Sequence, residues 1–156
     1  MVAYTDSLGF YKNSAGFTAN YTDRVSVIEI ELDFAKIAAA RTAAGATALA
    51  ATDTLVIGVL PKGSYVVAAA LTLERAEGAA ATIDVGVSGS ATLWASSFDL
   101  NAAAGTTVGV TNGARYQTAN TDILMTIDTN STDFARVKIS LAVLNMGADL
   151  GSIPSA

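Results

Sequence analysis

The sequence predicts an all-β protein: a single β-sandwich of jelly-roll type, about eight strands, with one short alanine-rich helix and an N-terminal arm. Three observations point to this class. Apolar and polar residues alternate over separate stretches near 25–32, 65–73, 81–88, 123–127 and 135–143, the period-2 signature of strands with one face buried. Those stretches are divided by short runs rich in Gly, Pro, Asn, Asp and Ser, the residues of tight turns. Only residues 33–44 show helical spacing. Strands of this length and spacing suit a sandwich, while period alone leaves the strand order open and keeps an up-and-down barrel as the competing architecture.

Residues 1–24 are polar and rich in Gly, Asn, Ser and Thr, yet they hold Tyr4, Phe10, Tyr11, Phe17 and Tyr21, five of the eleven aromatic residues in the chain. A disordered tail is poor in aromatics, and each ring can bury a large area. The segment therefore docks, either across its own domain or as an arm on a neighbouring subunit, with these five side chains as the anchors. Residues 25–146 form the sandwich domain, and 147–156 a C-terminal tail used for contact or left loose.

In "RVSVIEIELDF" Ser26, Ile28, Ile30 and Leu32 share one face and Val25, Val27, Glu29 and Glu31 the other. The two glutamates are read as like charges on an exposed strand rather than as a carboxylate pair. "DFAKIAAARTAAG" follows: Phe34, Ile37, Ala38 and Arg41 fall at helical spacing, Asp33 can cap the start and Gly45 the end, which predicts a helix over about 33–44. "TLVIGVL" and "YVVAAALTLE" are strands, and the intervening "PKGS" predicts a hairpin between them, with Tyr65, Val67, Ala69, Leu71 and Leu73 on one face. Ala81, Ile83, Val85 and Val87 then alternate with Thr82, Asp84, Gly86 and Ser88, and Gly78, Gly86 and Gly89 are read as shaping chain reversals. "TLWASSFDLN" and "TTVGVT" predict strands around the loop "NAAAG". Ile123, Met125 and Ile127 mark another strand, and Ala135, Val137, Ile139, Leu141 and Val143 the inward face of the last.

The chain of 156 residues has no cysteine and no histidine. Without them it lacks the usual general base near neutral pH, the common zinc, copper and haem ligands, and any disulfide. The net charge of −5 and nine scattered Lys and Arg residues, with only a loose pair at Arg136 and Lys138, give no basic footprint for nucleic acid. The mean hydropathy of +0.43 comes mostly from alanine, and no apolar run approaches the ~18–20 residues of a spanning helix. No membrane partner and no secretory signal are expected.

Three constellations are candidate sites. In "DTNSTD" the side chains of Asp128, Asn130 and Asp133, with Asp122 nearby, offer oxygen ligands for calcium, but the glycine and terminal glutamate of an EF-hand are missing, and the same residues make an ordinary turn. Asp84 and Asp99 are the pair to consider for carboxylate-only glycoside hydrolysis, although no spacing marks them as partners and Trp94 is the only tryptophan. "GVSGS" at 86–90 departs from G-x-S-x-G and has no histidine to activate a serine. No catalytic, cofactor or metal site is expected, and the chain is not read as an enzyme.

The stretch "VIEIELDFAKIAAARTAAGATALAATDTLVIGVLPKGSYVVAAALTLERAEGAAATIDVG", residues 27–86, and "YQTANTDILMTID", residues 116–128, resemble small virion proteins of tailed bacteriophages. The shared features are an Ile-Glu strand, an Ala-Arg-rich connector, a strand ending in Pro before a Tyr-Val strand, "AEG", "T-I-D-x-G" and a later Tyr-x-Thr-Ala step. Where related sequences often continue with an acidic "D-G" pair, this chain has "VSGS". The resemblance implies a non-enzymatic capsid decoration or cement protein with no cofactor. Its partners would be the major capsid protein and its own copies, as a trimer by preference or a dimer. Its place would be the capsid surface of the virion, and the host cytoplasm during assembly. A rival reading is a tail- or head-fibre sandwich that binds host surface glycans through loops 96–106 or 128–133.

Overall fold

The computed structural model describes residues 2–5, 10–14, 25–110 and 115–145. Within the stretch read as an arm, β1 (Val2–Thr5) and β2 (Phe10–Ser14) pair antiparallel with each other, and β2 pairs with β3 (Val25–Asp33). The helix α1 (Phe34–Ala43) comes next, then β4 (Thr54–Leu60), β5 (Ser64–Arg75), β6 (Thr82–Val87) and β7 (Ser90–Asp99). The chain continues with β8 (Thr107–Val110), the two-residue β9 (Arg115–Tyr116), β10 (Thr121–Thr129) and β11 (Arg136–Asn145). A seven-stranded sheet runs β1-β2-β3-β11-β5-β8, with β9 also on β5, and a four-stranded sheet runs β4-β10-β6-β7. Every pairing among the described residues is antiparallel. The architecture is a β-sandwich with a jelly-roll-like arrangement and one short helix; the two sheets do not close into a barrel.

One core cluster lies between the sheets. The seven-stranded sheet supplies Ile28, Ile30 and Leu32, Leu71 and Leu73, and Val137, Ile139, Leu141 and Val143; the four-stranded sheet supplies Ile57 and Leu60, Ile83, Val85 and Val87, and Ile123, Met125 and Ile127. Each of these side chains gains on the order of 1.5–3 kcal/mol by leaving water. Alternation in the sequence is what places them all on inner faces, because successive side chains of a strand point to opposite sides.

The helix begins where expected. Asp33 is its N-cap, with Oδ1 accepting from the Ala35 N–H at 3.2 Å, and Phe34 and Ile37 are its buried residues. At the other end Gly45 takes φ +68, the left-handed conformation a glycine adopts without steric cost. Arg41 in the last turn donates from Nε to the Thr47 carbonyl at 2.7 Å.

Two expectations about β4 and β5 fail. They are not a hairpin: Leu60 pairs with Thr121 of β10 in one sheet, and Ser64 pairs with Asn145 of β11 in the other. The turn at Pro61–Gly63 carries the chain across the sandwich. It is held by Gly63 N–H to the Gln117 carbonyl and Gln117 N–H to the Ser64 carbonyl, both 2.8 Å, so its stabilising partner lies far away in sequence. The inward face of β5 is also different at its start. A register shift sets Ala142 opposite Ala68 but Val143 opposite Val66, leaving Val67 as an extra residue. Such a bulge reverses the alternation, so Val66 is buried and Val67 is 40% exposed, while Ala69, Leu71 and Leu73 remain inside and Tyr65 is only half-buried.

Candidate functional site

Of the five proposed arm anchors, Tyr4 sits in β1 opposite Lys12, Phe10 in β2 opposite Leu32 and Tyr11 opposite Glu31. Phe17 and Tyr21 lie outside the described residues. The segment therefore contributes backbone to the edge of the seven-stranded sheet.

The outer face of that sheet carries a ladder of charge. Glu29 and Glu31, separated by one residue on β3, face Ser140 and Lys138 in the register. Lys138 Nζ lies 2.8 Å from Glu29, Arg136 Nη2 2.7 Å from Glu31 and Arg136 Nε 2.8 Å from Glu74 on β5. The two glutamates are thus not merely like charges in water; the loose basic pair of the last strand neutralises them. The hydrogen bond to Glu29, reinforced by the charges of Glu29, Glu74 and Glu31, holds the Lys138 ammonium above the ordinary lysine range against a smaller opposing effect of burial.

On the outer face of the four-stranded sheet, beside the exposed Val56, short hydroxyls and carboxylates bond across the strands. Asp128 Oδ2 accepts from Thr82 Oγ1 at 3.0 Å and from Ser97 Oγ at 2.7 Å. Asp84 Oδ1 accepts the Ser97 N–H at 2.7 Å, which fixes a residue whose φ is +51. Thr54 and Thr126 hydroxyls meet at 3.0 Å, and Thr82 and Thr129 at 2.7 Å. Asp99 is engaged separately, its Oδ1 accepting from the Asn101 N–H at 2.8 Å. The Asp84 and Asp99 carboxylates therefore each brace backbone, and neither is held against the other as acid and nucleophile.

The "DTNSTD" loop is a turn. Asn130 adopts φ +57 and donates from Nδ2 to the Ala80 carbonyl at 2.7 Å. Asp122 offers its backbone carbonyl to the Ser88 N–H at 3.1 Å. Asp133 is bound through its N–H, at 2.9 Å, to a residue the sequence had not singled out, Glu77. The Glu77 carboxylate also accepts from Phe134 N–H at 3.1 Å and Ala135 N–H at 2.6 Å. Three consecutive donors on one carboxylate act as a nest for an anion; the "AEG" motif was the only hint, and nothing in it names the loop 56 residues away. Among the described residues no group of three or more acidic, His or Cys side chains is placed to hold a metal ion.

In "GVSGS" the glycine at 86 serves close approach rather than reversal. A Cβ there would lie 2.1 Å from the Ser90 carbonyl oxygen, because the start of β7 folds over it. Gly89 and Gly78, both at φ +84, do turn the chain.

No family model matches the chain, and no curated protein matches it at a significant level. Solved structures do. A chain in the capsid asymmetric unit of cyanophage Pam1 is similar over 83% of this chain and 91% of its own, with TM-score 0.59 and 16% identity. A chain in the capsid of Ralstonia phage GP4 is similar over 85% and 91%, with TM-score 0.59 and 18% identity. One in the acid-stable capsid of Helicobacter pylori bacteriophage KHP30 is similar over 87% and 94%, with TM-score 0.54 and 10% identity. The fold is one found in phage capsids. At these identities the likeness is one of architecture, and it spans nearly the whole of each neighbour. Among the described residues no helix is long and apolar enough to cross a membrane.

Proposed function

We propose that this protein is a structural component of a tailed-phage virion, a decoration or cement protein that stabilises the head through contacts with the major capsid protein and with its own copies. The observation that carries the reading is the near full-length match of the fold to chains of three phage capsids. The chemistry of the surface supports it. Of the carboxylates that drew attention in the sequence, those of Asp84, Asp99 and Asp128 are engaged in holding loops and strands, and a protein whose polar groups brace its own shape acts through that shape.

In this reading residues 1–24 act as the arm, with Tyr4, Phe10, Tyr11, Phe17 and Tyr21 as anchors, on a sandwich of residues 25–146 followed by a tail, 147–156. Aromatic side chains dominate many interfaces, which motivates the assignment. The protein occupies sites that only the assembled shell presents, on the capsid surface after assembly in the host cytoplasm, as a trimer by preference or a dimer. Binding restricted to the closed particle stabilises that particle by mass action. No catalysis, cofactor, nucleic acid or membrane enters the function.

The test uses heads of the parent phage stripped of this protein. Added wild-type chain is expected to bind them saturably and to raise the temperature at which they release DNA; a chain lacking residues 2–22 should keep a folded sandwich and lose occupancy. No binding by the wild type rejects the reading. Undiminished occupancy by the truncated chain rejects the arm alone.

A further inference from the structure

The two sheets end in unequal edges. β1, β8 and β9 expose only two to four residues each, and β7 is broken by two register shifts against β6 and ends in Asp99. Short, bulged and charged edges are the devices that keep a sheet from pairing further. β4 has one such device, the single extra residue Ile57. Its seven residues, "TLVIGVL", otherwise include no charge and no proline, and among the described residues no strand pairs with its second side. Six large apolar side chains stand exposed among the described residues, Val27, Val56, Val59, Val67, Val108 and Phe134, and β4 carries two of them.

The direction of the backbone along this edge follows from the bonds on its paired side. The Asp53 carbonyl accepts from Ile127 N–H at 2.9 Å, so the alternation of an antiparallel ladder turns the N–H and C=O groups of Thr54 and Val56 away from β10. Beyond the bulge, Val59 stands opposite Asp122, whose carbonyl accepts from Ser88 N–H on the far side of β10; Val59 therefore also points its backbone outward. A row of paired donors and acceptors at this spacing is matched by an extended polypeptide. The opposite sheet limits what can bring one. A Cβ on Gly58 would lie 3.4 Å from Ile30 Cδ1, which places β4 against β3, and β2 and β1 continue beyond it as a ledge. At about 4.8 Å per strand the ledge overhangs β4 by roughly 10 Å. Two copies joined β4 to β4 would drive their ledges into each other, so the edge admits a single strand and not a second sandwich.

We propose that β4 takes up an extended segment of the major capsid protein as a fifth strand, bonded to the open backbone of Thr54, Val56 and Val59 beneath β1 and β2. The segment is uncharged where it runs beside β4. Lys62, just past the end of the strand and in no ion pair among the described residues, selects an acidic residue at the matching end, whereas Asp53 at the start is turned to the Ala50 N–H at 3.0 Å. The inference rests on the proposed decoration role and gives it a second grip, separate from the arm.

Hydrogen exchange, read residue by residue, compares the free chain with the chain bound to stripped heads. The Thr54, Val56 and Val59 amides are expected to exchange readily in the free chain and at least ~10-fold more slowly on the head, while Leu55, which faces β10, is protected in both. A photocrosslinking phenylalanine analogue in place of Val56 should join to the major capsid protein. Val56→Lys, which puts a charge on the edge at an exposed position, should lower occupancy at least ~10-fold with melting near wild type; the exchange and crosslinking readouts stand even if this variant fails to fold. A wild-type chain that does not bind heads rejects the proposed function and this inference with it. Three amides that exchange equally in both states or are already slow in the free chain, a crosslink within the chain or to another copy, or full occupancy by Val56→Lys overturns the strand addition alone and leaves decoration standing.

Discussion

On the outer face of the seven-stranded sheet, Glu29, Glu31 and Glu74 are joined across three strands by the long side chains of Arg136 and Lys138; on the four-stranded sheet the same cross-strand task falls to Thr54, Thr126, Thr82, Thr129, Ser97 and Asp128. The difference lies in tolerance. Long charged side chains in water contribute little and are screened by salt. Short hydroxyls bonded to a carboxylate lose less freedom on ordering, but they require the strands at one spacing. The four-stranded sheet also admits a backbone approach at Gly86 that leaves no room for a methyl group. The seven-stranded sheet has one such hydroxyl pair, Thr72 with Thr107 at 3.0 Å, so the contrast is between the adjustable ion-pair ladder and the fixed hydroxyl–carboxylate network rather than between whole sheets.

A matched pair of glycines breaks or sharpens that contrast most strongly. Gly86→Ala places a Cβ 2.1 Å from the Ser90 carbonyl oxygen, and backbone cannot move as a side chain tip can. A loss of about 3 kcal/mol or more, or failure to fold, is expected. In the seven-stranded sheet Gly109→Ala meets nothing within 4 Å and should be neutral or stabilising by up to about 1 kcal/mol. Urea midpoints of the two variants measure both; comparable losses would show that glycine substitution in either sheet is equally harmful and that close approach is not the cause.

Asp128→Ala removes the acceptor of the Ser97 hydroxyl and leaves the Thr82 hydroxyl only its Thr129 partner; it should cost about 1–2 kcal/mol, little changed by added salt. Arg136→Met, by contrast, removes the cation between Glu31 and Glu74. At a side chain this exposed the cost should stay below about 1 kcal/mol and shrink further in 1 M salt. Denaturation at low and high ionic strength distinguishes the two; a larger, salt-independent loss for Arg136→Met would reverse the assignment of roles.

The smallest effect is in pH. The partners of Lys138 raise its pKa in the folded state, so its contribution is complete below the unfolded lysine value and fades as pH rises through the folded one. Stability from this pair should be flat through neutrality and decline only above about pH 10.4, with the decline reduced in Lys138→Met. A difference between the two chains that appears near neutral pH would exclude this origin.

Much of the fold was legible. Alternation at 81–87, 123–127 and 135–143 identified the inner faces correctly because burying one face of a strand forces period 2 on the sequence. The helix was legible at both ends, since Asp33 and Gly45 satisfy a local geometric need. Tyr65 and Val67 were assigned to the wrong face because one bulge, dictated by pairing with Ala142 and Val143, inverts the pattern without a local sign. The supposed β4–β5 hairpin failed for a related reason: "PKGS" encodes a turn, but not the plane in which the next strand must pair.

The site was less legible. Glu77 holds a loop 56 residues away, and sequence distance hides such a bond. The stack of Arg75 on the Phe134 ring likewise joins residues 59 apart in sequence.

The sequence by itself determined the class of the fold, the inner faces of most strands, the helix and its cap, and the absence of histidine and cysteine chemistry. Each of these is a property of neighbouring residues or of composition. Tertiary structure alone decided the partition of strands between the two sheets, the ion-pair ladder, the Glu77 nest and the exposure of Phe134. All four depend on which distant backbones lie about 5 Å apart, and a pattern of near neighbours carries no measure of that distance.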